Sequence, residues 1–491
     1  MPENNSKYTL TVGIETHVQL KTKSKLFSGA DNDARIASPN TLVNHIDFGL
    51  PGALPVLNAR AIELASRAAF ALNTKPQAFS KFDRKHYFYP DLPMGYQITQ
   101  YDEPIIVGGY VEFNVDGQTK RVNITRAHLE ADAGKSTHPE GKDYSLVDLN
   151  RAGTPLLEIV SEPEMHSPAE ARAYCQELYL LIRYADVSDA NLYFGNMRFD
   201  VNVSVSADDT LGTRTETKNL NSFRSVERAI AFEMNRQIEL LEKGEKITQE
   251  TRGWNDTKNQ GYSMRSKENA DDYRYMPDPD IPPVHLDEEY ISKIAASMPK
   301  LPKELREQLA KHNLDSPIID TLLEGEIEYS LGHIDYLTNL SSEKAKTISS
   351  WIVNIEIPLR RGLLETQNTN GYKLTSDSVH ALYESAYSLT QAGSLSSTNA
   401  KELLNRLLVL DNLPEDIALY VKNEGLTQNS DEGELKQIVE RIVAASPEAV
   451  KDIQSGKEKA IGFLVGQVMK ETKGQANPAV VNDLIRAQIK S

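Results

Sequence analysis

The sequence predicts an α+β fold with a largely antiparallel sheet over its first 285 residues or so, followed by helices to the end of the chain. Three observations predict it. Short alternating runs intermingle with helical repeats from residue 8 to about 285 without a regular βαβ rhythm. No glycine fingerprint of the dinucleotide-binding type occurs among them. Beyond YMPDPDIPPVHLD, residues 275–287, the alternating runs cease and helical spacing takes over.

The first element is YTLTVGIETHVQL, residues 8–20. Tyr8, Leu10, Val12, Ile14, Val18 and Leu20 share one parity, and Thr9, Thr11, Glu15, His17 and Gln19 the other. Strand side chains alternate faces, so one face packs on a core while the other carries Glu, His and Gln in line, a set that suits a metal or a substrate. Further alternation at 105–114, 120–126, 197–206 and 213–218 predicts more strands. ARAIELASRAAFAL, 59–72, is the first helix. The second starts at SPAE, where Ser167 caps, Pro168 occupies the first turn and Glu170 completes a capping box. The third, in the run opening at Ser222, repeats Phe223, Val226, Ile230, Met234, Ile238 and Leu241 at helical spacing and stops at Gly244.

Four prolines at 275–287 then make a boundary. The expected domains are therefore 1–287, a helical domain over 288–412 and a small helical tail domain over 413–491. In the tail, Ile461, Leu464, Val465, Val468 and Met469 form a stripe that reads as core packing. Gly474 follows as a stop, and Asn477-Pro478 starts the final helix.

Composition narrows the function classes. At 491 residues the chain exceeds one core, and 40% hydrophobic with 25% charged residues is the balance of a soluble globular protein. It has no run of 18 or more apolar residues, and MPENNSKYTL lacks the marks of a signal or transit peptide, so a cytoplasmic protein without a membrane partner is expected. Cys175 is the single cysteine, which excludes an internal disulfide and a cysteine-built zinc ribbon. A net charge of −16 argues against unspecific nucleic-acid binding, though not against a local basic patch.

The first strand's pattern recurs. In GNMRFDVNVSVSA, Met197, Phe199, Val201, Val203 and Val205 share one face, leaving Arg198, Asp200, Asn202 and Ser204 on the other. His128, Glu130 and Asp132 have common parity in ITRAHLEADAGKST, as do Arg214, Glu216 and Lys218 in GTRTETKNL. Strands of one sheet would bring Glu15, His17, Glu130, Asp200 and Glu216 to a single concave surface, where carboxylates repel one another unless a cation sits among them. Oxygen donors with an imidazole and no thiolate suit Mg²⁺ or Mn²⁺, whose coordination water and nucleotide phosphates commonly complete. The same Glu15-x-His17 and His128-x-Glu130 pairs also suit a two-His, two-carboxylate zinc hydrolase.

AGKST, 133–137, is not a phosphate-binding loop, because Leu129 stands where its first glycine must be, but Lys135 and Ser136 remain able to meet phosphate. Residues 80–104 read as an ordered loop that combines Lys81, Arg84, Lys85 and His86 with Tyr87, Phe88, Tyr89, Tyr96 and Tyr101. Basic groups between aromatics suit phosphates and a stacked base, and a loop that packs its aromatics accounts for the composition equally well. Residues 263–280 offer a comparable set in Arg265, Lys267 and Arg274.

GIETHVQL, GLPGALPVLN, KFDRKHYFYPDLPMGYQITQYD, AHLEADAGKS, NRAGTPLLEIVSEP, NVSV, TKNLNSF, SMRSKENADDYRYMPDPD and GFLVGQVMKETKGQANPAVV run in order over nearly the whole chain. Together they closely resemble the GatB family, the B subunits of aspartyl/glutamyl-tRNA amidotransferases. The resemblance implies a glutamine-synthetase-like cradle domain, followed by helical and tail domains that hold tRNA. It implies a heterotrimer with two partners, an amidase that releases ammonia from glutamine and a small third protein that braces the assembly. The GatB chain would use ATP and Mg²⁺ to phosphorylate the side-chain carboxylate of glutamate on tRNA(Gln) or aspartate on tRNA(Asn), and ammonia would then displace the phosphate.

On that pattern Glu15, His17, Glu130, Asp200 and Glu216 form the metal and ammonia-path constellation. Arg84, Lys85, Tyr87, Lys135, Asn150, Arg151, Lys218 and Arg265 are assigned to nucleotide and acyl contacts, with Lys218 also counted among the catalytic groups. Three departures stand out. Ala131 replaces a second acid of HLEEDAGK, Phe194 stands at an acidic position of MEEGSLRCDANVS, and Phe199 replaces its cysteine. NHIDF stands where some relatives have a CPVC-type pair, so no zinc is expected. A non-catalytic tRNA-binding subunit is the rival reading, which Ala131 and Phe194 favour and the five retained ligand-type residues oppose.

Overall fold

The alternation at 8–20 becomes β1 (Thr9–Gln19), an inner strand of a nine-stranded sheet. The computed structural model describes residues 7–208, 210–266, 273–365, 372–428, 432–455, 459–472 and 476–490. They fall into two compact units, Met1–Pro302 and Lys303–Ser491.

In the first unit β2 (Phe79–Ser80), β3 (Asp83–His86), β4 (Tyr96–Thr99), β5 (Ile106–Val107), β6 (Tyr110–Val115) and β7 (Gln118–Ala131) follow β1. Next come β8 (Lys135–Thr137), β9 (Leu146–Asp148), β10 (Pro155–Ser161), β11 (Met197–Ser206) and β12 (Thr215–Leu220). The last strands are β13 (Glu250–Asn255), β14 (Gln260–Ser266), β15 (Met276–Pro277) and β16 (Val284–His285). The large sheet runs β14-β13-β12-β11-β1-β10-β7-β5, with β6 also on β7. Only the β12–β13 pair in it is parallel.

One face of this sheet is apolar. Val12, Ile14 and Val18 of β1 and Phe199, Val201 and Val203 of β11 are fully buried against α1 (Ala59–Ala71), α2 (Pro168–Tyr184) and α3 (Phe223–Glu242). The helices start where capping chemistry predicts: Ser167 accepts from the Glu170 amide and Ser222 from the Ser225 amide. Cys175 is buried in this core, as its helical position suggested.

Two expectations change. Residues 80–104 are not simply a loop, since β3 and β4 pair there and β15 adds to β3 from the proline-rich run. That run does not close the unit either. Its β16 pairs with β2, and α4 (Glu288–Ala296) packs on α1, so the division between units falls after Pro302 rather than after residue 287.

The regular elements described in the second unit are helices, from Pro302–Ala310 to Pro478–Lys490, apart from an isolated bridge between Leu395 and Thr427. Leu464 and Val468 of the tail stripe are fully buried with Leu435, Val439, Val481 and Ile485. A π turn, Ile352–Glu356, sits between Ser342–Trp351 and Ile357–Glu365 and carries a buried acid. Glu356 accepts from His333 Nε2 (2.8 Å), Tyr383 OH (2.5 Å) and both Nε and Nη2 of Arg360 (2.9 and 2.6 Å). No described helix is long and apolar enough to cross a membrane.

Candidate active site

The polar face of the large sheet is built by register. Glu15 of β1 lies opposite Asp200 of β11, His17 opposite Arg198, and on the other side His17 opposite Glu158 of β10. Glu158 pairs in turn with His128 of β7, and Asn202 with Glu216 of β12. On β7 the parity shifts at a bulge: Val160 pairs with Arg126 but Ser161 with Ile124. Val122 and Ile124 before it and Ala127 and Leu129 after it therefore all reach the core, while His128 and Glu130 turn to the polar face.

All five expected ligand-type residues line one cavity of about 380 Å³, together with Lys85, Tyr87, Asp132, Glu158, Arg198 and Lys218. They separate into two groups, His17–Glu130–Glu158 and Glu15–Asp200–Glu216, in each of which one ligand atom per residue lies within 4.8 Å of the others. Glu158 had no expected role. Its signal was the lone acid in the apolar run PLLEIVS.

The first group is crowded and incompletely paired. His17 Nε2 is 3.5 Å from Glu158 and 3.8 Å from Glu130, and His128 Nε2 is 3.4 Å from Glu158. Burial lowers the His17 pKa, but the hydrogen bond to Glu158 and the charges of Glu158 and Asp200 together outweigh burial and raise it to about 9. Burial and the neighbouring Glu158 push the Glu130 carboxyl above its usual range. The same burial acts on Glu158, yet His128 and His17 hold it well below that range. The Nδ1 atoms of His17 and His128 are buried without a hydrogen-bond partner among the described residues. The Nε2 nitrogens beside converging carboxylate oxygens are a donor set that a divalent cation takes.

In the second group Lys218 Nζ is 2.9 Å from Asp200 and 3.1 Å from Glu216, and Asn202 donates to Glu15 (3.0 Å). Burial pushes Asp200 up, but Lys218, His17 and the Asn219 amide together hold it below its usual range. That amide reaches Asp200 (2.7 Å) because Asn219 adopts φ +60°, a left-handed conformation that asparagine tolerates. Glu15 is shifted up, by burial first and then by Glu158. All these oxygens suit Mg²⁺ or Mn²⁺.

The expected nucleotide and acyl residues divide. Lys85 and Tyr87 line the cavity, with Lys85 Nζ 4.8 Å from the Tyr273 ring centroid. Arg84, next to Lys85 on β3, has the opposite parity and binds Asp278 (2.9 Å) and Asp280 (2.9 Å) outside the cavity. Lys135, Asn150 and Arg151 line a second cavity, also about 380 Å³, at the end of β1. The Asn150 amide is engaged structurally, accepting from the Leu42 amide (2.8 Å) and donating to Ser38 O (2.7 Å). Arg265 is in β14 by its backbone, and its side chain lies outside the described residues, as does all of Lys267.

The departures from the family pattern also separate. Ala131 and Phe199 point into the core side of the sheet, so neither lines the cavity of the acidic groups. Ala131 borders a void of about 30 Å³ that Asp47 also lines. Asp47, from the NHIDF stretch, pairs with the fully buried Lys25 ammonium at 3.3 Å. Gly153 makes room for this pair, since a Cβ there would lie 2.8 Å from Asp47 Oδ1. Phe194 is half-exposed on the second cavity.

Comparison with known proteins identifies the family. Residues 10–292 match the family described as GatB/GatE catalytic domain, and residues 335–489 match the one described as GatB domain. The chain is similar to proteins named as the B subunit of aspartyl/glutamyl-tRNA(Asn/Gln) amidotransferase. The one from Carboxydothermus hydrogenoformans is 42% identical over 98% of this chain and 99% of its own length. Those from Caldanaerobacter subterraneus and Geobacillus kaustophilus are each 43% identical, with the same coverage. The matches along both units lead to one conclusion: the chain belongs to the GatB family.

Proposed function

We propose that this chain is the B subunit of an ATP-dependent amidotransferase acting on tRNA misacylated with glutamate or aspartate. The observation that carries the reading is the pair of adjacent groups, His17–Glu130–Glu158 and Glu15–Asp200–Glu216, on one sheet face. Phosphorylation of a carboxylate brings anions together, so the site must neutralise charge more than it must supply covalent chemistry. Divalent cations held by these two groups would neutralise ATP phosphates and the acceptor carboxylate.

The chain's own cations do the rest. Lys85, Arg198 and Lys218 line the cavity and face the charge that develops on the transferring phosphoryl group. The bond between the β- and γ-phosphates breaks, its electron pair leaves with ADP, and an oxygen of the substrate carboxylate takes the phosphoryl group. Ammonia then attacks the activated carbonyl carbon, inorganic phosphate leaves, and the nitrogen gives up a proton to a carboxylate of the cavity. A partner amidase would supply the ammonia, and a small third protein would complete a heterotrimer. Domains of the second unit, divided near residue 412, would hold the tRNA. Against the binding-only reading, Ala131 lies on the opposite side of the sheet from the acidic groups.

The test is tRNA-dependent ADP release together with amide formation, measured on the chain co-expressed with both partners and given Glu-tRNA(Gln), ammonium and Mg²⁺. Both products are expected, and both vanish without Mg²⁺. Bound tRNA without ADP release selects the binding-only reading. Hydrolysis indifferent to ATP, with stoichiometric zinc, selects the hydrolase.

A further inference from the structure

One buried carboxylate, Asp132, contacts a residue from the lining of each of the two 380 Å³ cavities. Asp132 Oδ1 accepts from Arg198 Nη2 (3.2 Å), and Asp132 Oδ2 lies 3.0 Å from Arg151 Nε. Arg198 lines the cavity of the acidic groups, and Arg151 lines the second cavity. Arg151 is fixed further by the carbonyls of Ala133 (3.1 Å) and Gly134 (3.0 Å). Asp132 is itself held by backbone, its amide donating to Thr154 O (2.9 Å) and its carbonyl accepting from the Gly153 amide (2.9 Å). A guanidinium has five N–H donors, so one carboxylate contact leaves Arg198 with donors for a ligand.

Small-ligand sites run from about 300 to 1,000 Å³, so one cavity is small for a nucleotide and an acylated tRNA end together. The second cavity has the fittings of a nucleoside site: Phe194 on its wall with Tyr193, 88% exposed, against it at 5.1 Å, and the exposed Lys135. Aromatic faces stack bases and fixed cations hold phosphates.

We propose that Arg151 and Arg198, one from the lining of each cavity, form a phosphate clamp, with Asp132 as the residue that positions both. This rests on the phosphoryl-transfer reading above and gives it a direction. The nucleoside occupies the second cavity, Arg151 meets the phosphates that stay with ADP, and Arg198 meets the γ-phosphoryl group as it passes to the carboxylate. No proton moves in this step.

The test uses the assembled complex and three readouts: kcat, KM for ATP and for aminoacyl-tRNA, and the dissociation constant of ADP. Arg198→Met is expected to lower kcat about 100-fold with KM for ATP within about threefold, as loss of a contact made in the transition state does. Arg151→Met is expected to raise both KM for ATP and the ADP dissociation constant about tenfold, with kcat nearly unchanged. Asp132→Asn should show both effects, and Asp132→Asn with Arg198→Met should be no slower than Arg198→Met alone, because both remove one interaction. Should Arg198→Met fail to fold, Arg198→Lys carries the test with about a tenfold loss of kcat.

A kcat for the Arg198 variant within about threefold of wild type, or additive losses in the double variant, overturns the clamp. So does an Arg151 variant that raises KM for aminoacyl-tRNA instead of ATP, since the tRNA's terminal adenosine carries the same chemistry. If the wild-type complex releases no ADP, the transamidation reading fails, and ADP binding by wild type and Arg151→Met still decides whether the clamp exists.

Discussion

Two of the buried polar clusters among the described residues, one on the sheet of the first unit and one among the helices of the second, are built on opposite principles. Around Glu356 the acid accepts four hydrogen bonds from three side chains, so its charge is fully answered by groups of the same cluster. Around Glu158 and Glu130 two imidazole nitrogens, the Nδ1 atoms of His17 and His128, are left without hydrogen-bond partners among the described residues. A closed network rigidifies a fold, whereas a partly satisfied one holds free energy that only a ligand can release. Burial alone therefore does not mark a functional acid; incomplete satisfaction does.

The sharpest way to break this comparison is to open the closed cluster. Glu356→Ala leaves Arg360 and His333 facing no carboxylate, and urea unfolding of the second unit should show a loss of about 3–5 kcal/mol. ADP release per folded molecule should stay within about twofold of wild type. A large loss of turnover in the folded fraction would give Glu356 a role in function and erase the distinction.

The converse change is Glu15→Gln. It should cut ATP-dependent amide formation about 100-fold, equivalent to about 2.7 kcal/mol, while tRNA binding stays within about twofold. Wild-type turnover would remove Glu15 from the cation site.

A smaller effect lies in pH. Burial pushes the Glu356 carboxyl up, but the His333 hydrogen bond and Arg360 outweigh it and hold it below the usual range. A folded pKa below the unfolded value contributes stability above the unfolded pKa, about 4.3, and that contribution is lost as pH falls through the folded pKa. Acid unfolding of the second unit should accordingly be steeper below about pH 4.3 in wild type than in Glu356→Gln. Equal slopes would show that another group sets the acid limit.

The smallest change touches neither cluster. Ser222→Ala removes the cap of α3 and should cost about 1 kcal/mol in denaturant unfolding, with metal and ADP binding unchanged.

Much of the first unit was legible without coordinates because its signals are local. Period-2 alternation marked β1 and β11 and assigned Glu15, His17 and Asp200 to one face, while the cap Ser167 and the run opening at Ser222 marked helix starts within a residue. Composition at 80–104 announced an ordered segment but not β3 and β4, since four-residue strands carry too few alternations to be told from a loop. Composition does not distinguish Arg84 from Lys85, and only the pleat of β3 sends Lys85 to the cavity and Arg84 to Asp278.

The sequence by itself thus determined which residues share a strand face, where helices begin and which family the chain resembles. Tertiary structure decided which strands are neighbours, and with it that Glu158 joins His17 and that Asp132 reaches both Arg151 and Arg198. It also decided that the bulge in β7 keeps Glu130 on the side of Glu15 and sends Ala131 to the other. The same holds for Glu356, whose partners His333, Arg360 and Tyr383 come from separate helical segments. Periodicity records how a residue sits within its own element; pairing between elements far apart in the chain depends on register and packing, which no local pattern encodes.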